Sequence, residues 1–127
     1  MYKIIISLLI ASLILLALPS YTGSYTAPVK PNIKTYSIEK IREVFGNEQW
    51  VYFDDLIDRE SKWDPFAQNK YSTAFGYGQF LSSTWKIVGC VKTDDPYKQI
   101  DCTIAYIKLR HQNPHKAIHF HDKYNFY

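Results

Sequence analysis

The sequence predicts a mainly α, single-domain protein, and three observations carry that expectation. Apolar residues recur at helical spacing from Ser37 onward. The pairs Asp95-Pro96 and Asn113-Pro114 each read as a helix cap followed by a first-turn proline. Within that domain, residues 64–81 read as irregular chain and hold Gly76 and Gly78 among polar side chains. That stretch has room for a small β-hairpin in 65–81. A length of 127 residues fits one domain.

The N-terminus stands apart from that domain. Met1-Tyr2-Lys3 gives a short basic start, and Ile4 to Leu18 is apolar apart from Ser7 and Ser12. This pattern reads as a secretory signal peptide, and the run is shorter than the roughly 20 residues a membrane-spanning helix needs. Pro19 and Pro28 spoil the obvious cleavage windows, so residues 1–20 are expected to be either a signal or a retained N-terminal anchor. Both place the folded part outside the cytoplasm, in the envelope, periplasm or extracellular space. Residues 21–36, rich in Ser, Thr, Pro and Tyr, read as a linker, and 37–127 as the domain.

Within the domain, Ser37 is expected to cap a helix whose residues Ile38, Ile41, Val44 and Phe45 share a face, with Gly46 ending it. A second helix runs from about Glu48 to Ser61, stopped by Asp64-Pro65. After the irregular stretch, Ser82 or Ser83 caps a short helix through Trp85 to Val88, closed by Gly89. Asp95-Pro96 starts a helix to about Arg110 with Ile100, Ile104 and Ile107 inward. Asn113-Pro114 starts a last one to about Lys123.

Cys90 and Cys102 form an even pair in a chain expected to be exported, which favours a disulfide over two buried thiols. The short loop they would close is worth roughly 2–3 kcal/mol. No second ligand pair with zinc-finger spacing accompanies them. A formal charge of +3 is too small to argue for nucleic acid. Tyrosine outnumbers phenylalanine 11 to 7, which suits rings with one wet edge, either in a sugar-binding cleft or in ordinary amphipathic packing.

Glu60 is the residue that does not belong. Phe53, Leu56, Ile57 and Glu60 sit at i, i+3, i+4 and i+7, on one helical stripe. Asp54, Asp55, Asp58 and Arg59 fall on other faces, with Asp55 and Arg59 spaced to pair. A carboxyl on an apolar stripe at a helix C-terminus has its pKa raised by desolvation and by the helix dipole. Such a group suits general acid catalysis at a glycosidic oxygen. Spacing alone leaves a second outcome open, in which the helix frays before Glu60 and the side chain turns to solvent.

His111, His115, His119 and His121 cluster near the C-terminus. His115 and His119 have the i, i+4 spacing that can bind metal. No carboxylate pattern accompanies them, so a partly exposed structural role is expected, and no metal. There is no Gly-x-Ser-x-Gly element and no phosphate-cradling loop. Cysteine nucleophile chemistry conflicts with the expected disulfide.

The residues in order resemble a known family. Glu60-Ser61, Trp63-x-Pro65, Asn69, Ser72-x-Ala74-Phe75-Gly76-Tyr77-Gly78-Gln79-Phe80 and Ser83-Thr84-Trp85 are similar to the soluble lytic transglycosylase domain, the lysozyme-like glycoside hydrolase family 23. Asp95-Pro96-x-x-Gln99-Ile100 with Ala105-Tyr106-Ile107-Lys108 resembles the family's third motif. Asn113-Pro114 with Ala117 and Tyr127 resembles the tail of compact phage and actinobacterial-type members. The likeness covers about residues 47–127. It departs in the glycine loop, where Tyr77 and Gly78 stand in for the family's Leu-Met, and at Cys102, where many relatives carry an aromatic residue.

The resemblance implies a lysozyme-like fold and a peptidoglycan substrate. Glu60 takes the place of the sole catalytic acid/base and Ser61 that of the serine beside it. Gln79 and Asn69 border the cleft, Tyr106 faces the acid, and Phe75 and Tyr77 sit in the substrate-binding loop. It further implies cleavage between N-acetylmuramic acid and N-acetylglucosamine with a 1,6-anhydro product. No cofactor is needed, membrane contact comes only through the N-terminal segment, and the protein acts as a monomer on glycan strands. Two rivals stand beside this expectation. One is a hydrolytic muramidase on the same fold, with Asp64 or a water as helper. The other is a non-catalytic peptidoglycan-binding module.

Overall fold

A computed structural model describes residues 27–127, and the expected signal or anchor lies outside the described residues. Among the described residues, five α-helices carry the fold. They are α1 (Ile33–Phe45), α2 (Trp50–Ser61, preceded by a 3-10 turn, Asn47–Gln49), α3 (Ser82–Ile87), α4 (Pro96–Arg110) and α5 (Pro114–Tyr124). Strand structure in the 65–81 region amounts to two isolated antiparallel bridges, Gln68 with Phe75 and Phe75 with Phe80, rather than a hairpin of regular strands. Consecutive turn-forming and glycine residues leave no run long enough to pair.

Asp95 and Asn113 cap α4 and α5 as expected, each side chain accepting a backbone N–H of the first turn with proline following. The start of α1 differs from expectation. Asn32 is the cap, accepting from the Thr35 N–H, and the helix begins four residues before Ser37. Ser37 is instead fully buried inside α1, its hydroxyl donating to the Ile33 carbonyl. The inward row is therefore Ile33, Ser37, Ile41 and Phe45, one residue every four. Val44, expected on that face, is exposed.

The main core gathers Ile41 from α1, Phe53, Leu56 and Ile57 from α2, Ile100, Ile104 and Ile107 from α4, and Ala117 and Ile118 from α5. Full burial of a side chain such as Phe53, Leu56 or Ile57 stabilises by about 1.5–3 kcal/mol. A smaller cluster of Phe80, Trp85, Cys102 and Tyr106 lies beside it. Cys90 and Cys102 are disulfide-bonded, tying the segment after α3 to α4.

Helices α2 and α5 pack together and run in the same direction. At their N-terminal ends Gln49 Oε1 accepts the His115 N–H, and at the far ends Arg59 bonds Asp122. The chain leaves α2 through two successive residues with left-handed backbone, Lys62 (φ 55°) and Trp63 (φ 59°). Such a pair is strained for side-chain-bearing residues. Trp63 folds back to hold it, its indole N–H donating to Asp54 and its ring packing on Trp50, Phe53 and Tyr77.

The irregular stretch is fastened from below by Gln99 of α4. This buried amide accepts the Tyr77 N–H through Oε1 and donates through Nε2 to the carbonyls of Pro65 and Thr93. Gly76 sits directly over it. At φ 78°, a Cβ there would come within 2.5 Å of Gln99 Oε1, so only glycine lets the loop settle on α4.

Candidate active site

Because α2 stays helical to Ser61, Glu60 keeps its place on the stripe of Phe53, Leu56 and Ile57. Its side chain is only 15% exposed. It opens at the wall of a cleft of about 480 Å³, lined also by Asn69, Gln79, Tyr106, Phe126 and Tyr127. Among the residues lining this cleft, Glu60 is the one acid. Asp64 lies outside it on an exposed turn, where its carboxylate accepts the Phe66 N–H.

Burial pushes the Glu60 carboxyl up to about 7. The neighbouring cation does not counter this. Arg59 is turned outward to Asp55 and Asp122. At neutral pH a large share of Glu60 therefore keeps its proton, while the conjugate base remains accessible. One group can thus give a proton in one step and take one in the next.

The nearest polar partner of Glu60 comes from α5. His121 Nε2 lies 3.0 Å from Glu60 Oε1, with the His121 side chain 12% exposed. Burial, and then the Arg59 charge, hold His121 below the usual histidine range, against the opposing pull of Asp122 and Asp55. The reading of the histidines as a partly exposed structural cluster overlooked this contact. A signal for it was available. Pro114, Ala117, Ile118 and His121 repeat on α5 the i, i+3, i+4, i+7 spacing that singles out Glu60 on α2, and the first three are buried. The other histidines behave differently. His115 packs edge-on or tilted against Tyr52 and His119, and His111 is buried among Tyr106, Phe120 and Tyr127.

Four of the residues expected at the site share the cleft: Glu60, Asn69, Gln79 and Tyr106. Gln79 has left-handed backbone (φ 49°), and its amide donates to the carbonyls of Ala67 and Gly76, pinning the loop around it. The Tyr106 hydroxyl donates to the Tyr127 carbonyl. Asn69 turns its side-chain oxygen to the Tyr71 N–H.

Ser61, Tyr77 and Phe75 are not among the lining residues. The Ser61 hydroxyl donates back to the Ile57 carbonyl within α2. Tyr77 is buried in the main core against Trp63, since the turn at Gly76 directs it inward. Phe75 packs against the smaller cluster with Lys92 over its ring. Tyr127 was anticipated only as part of a tail, yet it lines the cleft. Its hydroxyl donates to the Gly78 carbonyl, and a Cβ on Gly78 would come within 2.7 Å of that hydroxyl. Burial, with the Glu60 charge adding to it, holds the Tyr127 phenol well above its ordinary range, so it remains a protonated donor.

Among the described residues no group of three or more His, Cys, Asp and Glu is arranged to hold a metal ion. Compared with known proteins, the chain matches no family model, no curated protein and no solved structure.

Proposed function

We propose that the protein is a peptidoglycan lytic transglycosylase that cuts the β-1,4 bond between N-acetylmuramic acid and N-acetylglucosamine. The observation that carries this reading is the solitary, nearly dry Glu60 carboxyl, poised at about 7, on the wall of an open cleft. The ordered likeness of residues 60–85 and 95–108 to the lysozyme-like transglycosylase domain supplies the substrate class. The protein acts outside the cytoplasm, as a monomer and without a cofactor.

A retaining or inverting glycosidase needs two carboxyl groups about 5–5.5 Å or 6.5–9.5 Å apart. The side chains lining the cleft offer one, which favours assistance by the substrate. Glu60 gives its proton to the departing N-acetylglucosamine oxygen as the bond to the muramic C1 breaks. The 2-acetamido group stabilises that carbon. The Glu60 carboxylate then takes the proton of the same sugar's C6 hydroxyl as that oxygen bonds to C1, closing a 1,6-anhydro ring. The proton that left returns, and no water is consumed.

The test is mass spectrometry of muropeptides released from purified peptidoglycan by the protein and by Glu60→Gln. The expected products are anhydro ends from the former and none from the latter. Reducing ends would identify a hydrolytic muramidase instead. Binding without release would identify a wall-binding module. Full activity in Glu60→Gln would remove Glu60 from the chemistry.

A further inference from the structure

Resting on the reading of Glu60 as the acid, we propose that His121 is its positioning residue: the imidazole Nε2–H donates to Glu60 Oε1, reserves that oxygen as an acceptor, and leaves Oε2 to gain and lose the working proton. The proximity of the two groups carries this. The two side chains come from different helices, meet at 3.0 Å, and are 15% and 12% exposed, so neither can easily trade the other for water. Arg59 of α2 and Asp122 of α5 clamp the same ends of those helices, which fixes the approach.

The proton count chooses the tautomer. If Nε2 were bare, it would hold the Glu60 proton on Oε1, away from the cleft. Once that proton left, a lone pair would face a buried carboxylate, which is unfavourable on both sides. With the hydrogen on Nε2, the same contact serves the acid and its conjugate base. The donor hydrogen bond becomes charge-assisted when Glu60 ionises, the moment at which developing negative charge needs support. A neutral imidazole does this without the full cationic pull that would draw the acid down.

The surroundings keep it neutral. Arg59 opposes a second proton on His121, while Asp55 of α2 and Asp122 of α5 favour one, and burial tips the balance toward the neutral form. Sharing the cleft with Glu60 are Tyr106 of α4, Tyr127, and the uncharged Asn69 and Gln79 of the loop.

His121→Leu removes the donor, and His121→Gln retains an N–H at similar reach. Glu60 is titrated by carboxyl carbon NMR in the full chain, alongside kcat for muropeptide release against pH and thermal melting. In His121→Leu the Glu60 titration is expected to move upward by about one pH unit or more, with kcat down about 10- to 100-fold. His121→Gln is expected to restore both toward the parent protein. Should the leucine variant not fold, His121→Met, unbranched and without a donor, takes its place. An unchanged Glu60 titration in a folded donor-free variant overturns the proposal. So does a well-folded glutamine variant that titrates like the leucine one. The NMR arm needs no substrate. A protein that passes it yet releases no muropeptides would refute the transglycosylase reading and leave the His121 contact standing.

Discussion

Holding Glu60 at about 7 couples its titration to the stability of the protein. The folded carboxyl binds its proton more tightly than the unfolded one. The associated stability is therefore complete below the unfolded value near 4.5 and is lost as pH rises through about 7. The loss is on the order of 3 kcal/mol for a shift of this size. His121 tilts the other way, because its folded pKa is depressed, and its contribution is lost as pH falls below the usual histidine range. Comparing the parent with Glu60→Gln isolates the first effect. The variant is expected to melt well above the parent at pH 8 and close to it at pH 4.5. Equal melting temperatures at pH 8 would mean that ionising Glu60 costs nothing. Glu60 was legible because one residue on one helix breaks a hydrophobic stripe. His121 was legible only in part: it continues the stripe of Pro114, Ala117 and Ile118, but its meeting with Glu60 joins α2 and α5, 61 positions apart in sequence, and a single-helix pattern does not record that.

At the scale of elements, the loop of 62–81 holds its shape through partners the local sequence does not announce. Gln99→Leu leaves the Tyr77 N–H and the Pro65 and Thr93 carbonyls without their bond to α4. It is expected to cost about 3 kcal/mol or more in urea unfolding. Gly76→Ala forces a Cβ against Gln99 at a left-handed backbone position and is expected to cost about 2 kcal/mol. A loss under about 0.5 kcal/mol in either variant would show that the loop repacks freely. Helix ends were readable wherever chemistry is local, as at Asp95-Pro96 and Asn113-Pro114. The start of α1 was not. Lys34 and Thr35 give its first turn the polar look of a linker, while Ile33 and Tyr36 reach the core from half-buried positions. Tyr77 was read with its loop as a substrate contact, yet the turn at Gly76 and the packing of Trp63 send it into the core. Those two effects are tertiary and leave no mark on spacing.

Across the whole molecule, the Cys90–Cys102 bond joins the smaller cluster to the segment that follows α3. Reduction is expected to remove roughly 2–3 kcal/mol and lower the melting temperature by about 10–20 °C. Calorimetry with and without reductant checks this, and a shift below about 3 °C would show that packing alone secures the segment. The side-by-side course of α2 and α5 bears on how this protein can change over time. Each residue added inside a helix swings everything beyond it by about 100°. One extra residue between Val51 and Glu60 would turn the carboxyl off its wall, and one between Pro114 and His121 would rotate the imidazole out of reach. Substitutions on the outer faces of these two rods leave the pairing intact, whereas insertions and deletions within them break it. Drift in chain length is thus confined to the joints, and the phase of two parallel rods acts as the gauge that any descendant must keep.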